Sequence, residues 1–136
     1  MRVHPTRRTE SEHLRVSTQP RVVVGNVADI PAGTMRFVSV GKFGVGVYNV
    51  GGEFQAIVNY CPHHGGPVCF GSLTGRTGAG QEPYEQTYTR PGEFVRCPWH
   101  GWEYDLMDGR AVAVNKRIRK YQVEIEGDVV VLYGVK

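Results

Sequence analysis

Two short loops constrain what this chain can become. One opens with Cys61-Pro62-His63 and spans 61–71; the other opens with Cys97-Pro98-Trp99-His100 and spans 97–105. Each offers one thiol and one imidazole two or three residues apart, with a proline after the cysteine that fixes φ and stiffens the loop. Both are rich in glycine or proline, so neither reads as part of a long helix. Whatever fold forms must present these two loops from a scaffold built by the residues around them.

The surrounding residues read as strands. Arg21 to Gly25 carries the β-branched run Val22-Val23-Val24, and Pro31-Ala32-Gly33 breaks the chain after it. Met35 to Val40 and Gly44 to Val50 are two further β-prone runs around a Gly41–Gly44 turn. Gly51-Gly52 then joins Val45-x-Val47-x-Asn49 to Phe54-x-Ala56-x-Val58, a strong hairpin signal because tight primed turns need positive φ. Near the other end Tyr121, Val123 and Ile125 alternate with polar residues, and Glu126-Gly127-Asp128 turns into Val129 to Tyr133 as a second hairpin. No convincing 3.6-residue apolar period exists anywhere, so the expected class is all-β, an antiparallel sandwich or barrel. The polar stretch 75–92 between the loops reads as a flap or an insertion. Within it Tyr84 and Tyr88 stand four apart, a spacing that suits one helical turn.

Length and charge narrow the function. A chain of 136 residues with 40% hydrophobic residues is one domain and has no room for a second large catalytic one. The first 21 residues hold five Arg against two Glu, which is the whole of the formal net charge of +3. Residues 1–20 thus read as a basic, disordered arm and 21–136 as a neutral body, a poor match for nucleic acid, which needs clustered cations on the fold itself. Arg7-Arg8 is followed by Thr9-Glu10-Ser11-Glu12 rather than an apolar run, so it is no export signal, and no stretch is long and apolar enough for a membrane span. A cytoplasmic protein is expected. Three cysteines are an odd number for a disulfide framework, which leaves thiol chemistry or metal ligation as their better uses.

Spacing decides which metal. Structural zinc sites pair Cys with Cys and His with His, each pair gripping one ion, whereas here each loop offers a mixed pair. With two irons close together, one can collect both thiolates and the other both imidazoles, the ligand set of Rieske 2Fe–2S centres. The motifs Cys61-Pro-His63-His-Gly-Gly-Pro67 and Cys97-Pro-Trp-His100-Gly-Trp-Glu-Tyr104-Asp105 resemble those of Rieske iron–sulfur domains. The resemblance implies a Rieske-like β fold over 21–136 with a two-loop cluster-binding subdomain, a 2Fe–2S cofactor, and Cys61, His63, Cys97 and His100 as its ligands. Around them it places His64, Gly65, Gly66, Trp99, Gly101, Trp102 and Tyr104. The glycines let backbone approach the sulfides, and Cys69 is left as a small buried hydrophobe. The 33 residues between His63 and Cys97 exceed the connection of compact family members.

Departures from the pattern sharpen the reading. In cytochrome bc-type Rieske proteins each loop adds a cysteine to a bracing disulfide; the matching positions here are Gly66 and Trp99. Tyr104 stands at the position of a tyrosine that hydrogen-bonds a ligand sulfur, but Trp102 replaces a serine that bonds a sulfide. The expected potential therefore lies toward the lower end of the Rieske range of about −150 to +300 mV. Beyond the loops only His4 and His13 remain, too few for the two-His-one-carboxylate iron of an oxygenase subunit. The resemblance thus implies a freestanding ferredoxin, not itself an enzyme, passing single electrons from a flavin-dependent reductase to a terminal oxygenase or other oxidoreductase. Two alternatives stay open: a tightly bound small subunit resembling that of assimilatory nitrite reductase, and a zinc-stapled binding module.

Overall fold

The computed structural model describes residues 20–79 and 86–135 of the chain. The expected basic arm lies outside the described residues except for Pro20. Nine strands run β1 (Arg21–Asn26), β2 (Met35–Val38), β3 (Val45–Val50), β4 (Glu53–Val58), β5 (Ser72–Ala79), β6 (Gln86–Arg96), β7 (Glu103–Asp105), β8 (Lys120–Glu126) and β9 (Val129–Tyr133). They form two antiparallel sheets, one ordered β1-β9-β8-β4-β3-β2 and the other β5-β6-β7. Valines 22 and 24 of edge strand β1 and Val38 of the opposite edge strand β2 pack on one core with Val45, Val47, Ala56, Val130 and Leu132. The large sheet therefore curls toward a barrel, as the all-β expectation required.

Both expected hairpins are present. β3 pairs with β4 across Gly51-Gly52, whose φ values of 61° and 99° are those a two-residue primed turn demands. β8 pairs with β9 around Gly127. Strand periodicity then explains how two cores arise from one sheet. Successive side chains of a strand point to opposite faces, so Val45 and Val47 of β3 and Ala56 of β4 enter the barrel core, while Tyr48 and Ile57 face the second core. That second core also takes Cys61, Val68, Cys69, Val95, Cys97, Tyr104 and Leu106. β3 and β4 are the wall between barrel and site.

Segment 75–92 departs from the helical turn suggested by Tyr84 and Tyr88. Its described residues, 75–79 and 86–92, belong to the long β5–β6 hairpin, in which Tyr88 pairs with Thr77; Tyr84 lies outside the described residues. The reason is the β-branched Thr74, Thr77, Thr87 and Thr89, which favour extended backbone. Apolar periodicity could not reveal it, because a ribbon projecting from the body has no apolar face to bury. The second loop also ends before residue 105: Glu103–Asp105 pair with Phe94–Arg96 as β7, which turns Tyr104 fully inward between two partly exposed acids.

Candidate metal centre

The two loops close by the same hydrogen bonds. The Cys61 N–H donates to the Gly66 carbonyl at 2.9 Å and the Gly65 N–H to the Cys61 carbonyl at 2.7 Å; the Cys97 N–H donates to the Trp102 carbonyl at 2.7 Å and the Gly101 N–H to the Cys97 carbonyl at 2.9 Å. In each loop the fourth residue after the cysteine, Gly65 or Gly101, has φ near +75°, where a side chain is strained. Similar backbones thus hold Cys-x-His and Cys-x-x-His motifs. Strand β6 leads into the second loop and β4 into the first, so the two sheets deliver the loops to one end of the molecule.

Cys61 and Cys97 are each 2% exposed and carry free thiols. Burial first, then the neighbouring Cys61 thiol, pushes the Cys97 thiol pKa up. The Tyr104 hydroxyl stands 3.1 Å from Cys61 Sγ, the contact expected of a tyrosine at this position, and burial followed by the bond to Cys61 raises its pKa. The imidazoles sit farther out. His63 is half-buried and His100 exposed, with ring centroids 4.9 Å apart. His63 Nδ1 is buried with no hydrogen-bond partner. Burial, then the adjacent His64, His100 and Lys116, lowers the His63 pKa, which favours the neutral ring that binds metal.

These residues fit a 2Fe–2S cluster. Two sheltered thiols, an orphaned buried imidazole nitrogen and a second imidazole meet between loops that can approach closely only because glycine lines them. A Cβ at Gly66 would lie 2.9 Å from Cys97 Sγ and 3.0 Å from the Trp99 ring. The donor atoms of His63, His64 and His100 lie within 4.8 Å of one another, so distance alone leaves His64 beside the pair. His64 is exposed and stacks on one face of His63 at 4.0 Å.

Trp102 stacks on His63 as well, at 3.9 Å and 10° between ring planes. This contact was not legible in the sequence, where Trp102 registered only as a lost hydroxyl. Trp99 is 57% exposed, yet it also packs over Gly66, so its position combines surface display and packing. Cys69 is buried, as expected, with its thiol pushed up to about 11 by burial. Two neighbours carry no motif to announce them. Tyr60 lies directly beneath Gly65, and Lys116 is close enough to act on His63.

Comparison with known proteins agrees with this geometry. The family model of the Rieske [2Fe-2S] domain matches residues 20–124. Apoptosis-inducing factor 3 of Homo sapiens is 31% identical over 138 aligned positions, covering 98% of this chain but 20% of its own length; the chain thus spans about a fifth of that relative. The ferredoxin component of a naphthalene 1,2-dioxygenase system from Pseudomonas aeruginosa is 30% identical over 106 positions, covering 76% of this chain and 86% of its own. Among solved structures, Sphingomonas yanoikuyae B1 ferredoxin aligns with a TM-score of 0.62 at 26% identity, covering 84% of this chain and 98% of its own. A complex of reduced oxygenase and oxidised ferredoxin in carbazole 1,9a-dioxygenase contains a chain of the same fold, with TM-score 0.67 at 24% identity, covering 85% and 94%. The cofactor this implies is a Rieske-type 2Fe–2S cluster, and the chain belongs to the Rieske [2Fe-2S] domain family.

Proposed function

We propose that this protein is a single-electron carrier, a Rieske-type ferredoxin that receives electrons from a flavin-dependent reductase and delivers them to a terminal oxygenase. Cys61 and Cys97 hold one iron and His63 and His100 the other, while Tyr104, Trp102 and the loop glycines shape their surroundings. The cluster, when bound, supplies reversible one-electron chemistry. The residues of the chain do the rest. The buried cysteines keep the sulfurs from water, the Tyr104 hydroxyl donates to the Cys61 sulfur, and Trp102 holds the His63 ring flat against its face. With both histidine rings at the surface end of the centre, a docked partner meets the imidazole edges first.

The observation that carries this reading is the asymmetry of burial: thiols inside, imidazoles at the surface, on a domain whose ferredoxin relatives belong to dioxygenase systems. The role is that of a carrier rather than a catalyst, a reading supported by relatives named as ferredoxin components. We place this carrier in the cytoplasm, beside a reductase it would share. No helix among the described residues is long and apolar enough to cross a membrane. The test is to purify the protein, measure iron and acid-labile sulfide, and follow transfer from a flavin reductase to a terminal oxygenase. Two irons and two sulfides per chain, a Rieske-type paramagnetic signal in the reduced state only, and turnover dependent on this protein are expected. One zinc and no colour would overturn it.

A further inference from the structure

A groove of about 430 Å³ runs beside the first loop, and the carrier reading above leaves it without a role. One wall is the β2–β3 turn with Lys42 and Phe43, another is Tyr60 and Pro62 at the entry to the loop, and the third is the 117–121 segment with Arg117 and Arg119. Apolar surface lies within reach of water there: Phe43 is 39% and Tyr60 40% exposed, their rings 4.2 Å apart. Among the described residues no carboxylate lines the groove. Among the described residues Lys42, Arg117 and Arg119 form no ion pair; Lys42 lies over the Phe43 ring at 5.4 Å and Arg119 over Tyr121 at 5.3 Å.

We propose that this groove docks an acidic segment of the electron-transfer partner that also carries an apolar anchor residue, seating the partner against the side of the first cluster loop. The proposal rests on the carrier reading and deepens it by naming the partner's chemistry. Three unpaired cations beside exposed aromatic rings are complementary to carboxylates flanking an aromatic or aliphatic side chain, and such charges steer encounter as well as hold it. Tyr60 makes the site relevant to electron transfer. Its ring supports Gly65, where a Cβ would approach to 2.9 Å, so whatever fills the groove leans on the loop that carries Cys61 and His63. The chain's own residues 1–19 match the groove poorly in charge, since they carry four Arg against two Glu.

The test uses the cluster-loaded full chain, with the flavin reductase and terminal oxygenase of a naphthalene 1,2-dioxygenase system as probes. Wild type is compared with the triple variant Lys42→Glu, Arg117→Glu, Arg119→Glu at several ionic strengths. The expected result is a fall of about tenfold or more in the second-order rate with at least one probe at low salt, with the wild-type rate falling as salt rises and the variant's nearly flat. Visible spectrum and midpoint potential should not change. If charge reversal does alter the potential, the Gln triple variant replaces it, with a loss of about threefold expected. Equal rates in wild type and variant overturn the docking proposal and leave the carrier reading intact. Absence of transfer between wild type and both probes overturns the carrier reading and the docking proposal with it. A dimer at assay concentration that the variant abolishes assigns the groove to a second copy instead.

Discussion

His63 and His64 are neighbours in sequence and stack ring on ring, yet their surroundings divide their roles. His63 has a buried, unpartnered Nδ1 between Trp102 and His64, while His64 is exposed. His63→Ala should therefore lose the cluster and His64→Ala keep it, as read by iron content and the visible spectrum; the reverse outcome exchanges the ligand assignment. Tyr104→Phe removes a hydroxyl that favours the electron-rich sulfur of the reduced centre. It should keep the cluster and lower the midpoint potential by on the order of 50 mV in a redox titration. Cys69 offers a stability test away from the ligands. Burial pushes its pKa in the folded protein up to about 11, above the ordinary thiol value of 9.0. Above pH 9 the unfolded thiol ionises while the folded one stays protonated, so the unfolded state binds fewer protons and stability falls as pH rises from 9 toward 11. Cys69→Ala should cost about 1 kcal/mol at pH 7 from lost packing and show a shallower alkaline decline in urea unfolding.

Strand β6 bends where it passes from its outer hairpin to the site, and one residue pins the bend. The β5–β6 register shifts between Thr74 and Arg76, opposite a stretch in which Pro91 can donate no ladder hydrogen bond and Arg90 adopts φ +53°. Arg90 spends its guanidinium on holding that shape: Nε donates to Glu93 at 2.6 Å, Nη2 donates to both Asp105 oxygens at 2.9 and 3.0 Å, and the group lies 4.7 Å over the Phe94 ring. The bridge to Asp105 ties β6 to β7 just below Tyr104. Arg90→Ala keeps the unfavourable φ and loses the ion pairs, a cost of about 1 kcal/mol after solvent screening. Arg90→Gly loses the same pairs but relieves the backbone, so it should be the more stable of the two by urea titration. An Ala variant as stable as the Gly variant would mean that φ contributes nothing here.

Two cores share one wall, and the cysteines belong to only one of them. The barrel core of Val45, Val47, Ala56, Val130 and Leu132 contains none of the proposed ligands, whereas Cys61 and Cys97 are members of the site core. Because metal-binding free energy is partly folding free energy, removing the cluster should unfold the molecule unevenly. Hydrogen exchange after acid and chelator treatment should lose protection first at 61–71 and 97–106, with β3, β4, β8 and β9 retaining theirs. Uniform loss across both sheets would show that the barrel has no stability of its own.

Much of this was legible from local chemistry. Gly51-Gly52 and Gly127 announce their hairpins because glycine tolerates positive φ, and the two Cys/His loops announced the 2Fe–2S cofactor because ligation depends on donor type and spacing. The contact between Tyr104 and Cys61 was expected only from the family resemblance, since it joins residues 43 positions apart. The extended hairpin 72–96 was not legible, since a projecting ribbon shows no apolar alternation and its Thr-rich edges mimic a loop. Trp102 against His63 and the gathering of Lys42, Arg117 and Arg119 around one groove join residues 39 to 77 positions apart. Such contacts are decided by how the sheets curl and stack, and no local pattern encodes them. The sequence by itself determined the two Cys/His motifs and the two short hairpins, which rest on residue type and local spacing; the tertiary structure alone decided which face of the loops is dry, which is open, and where, among the described residues, positive charge gathers without an ion pair.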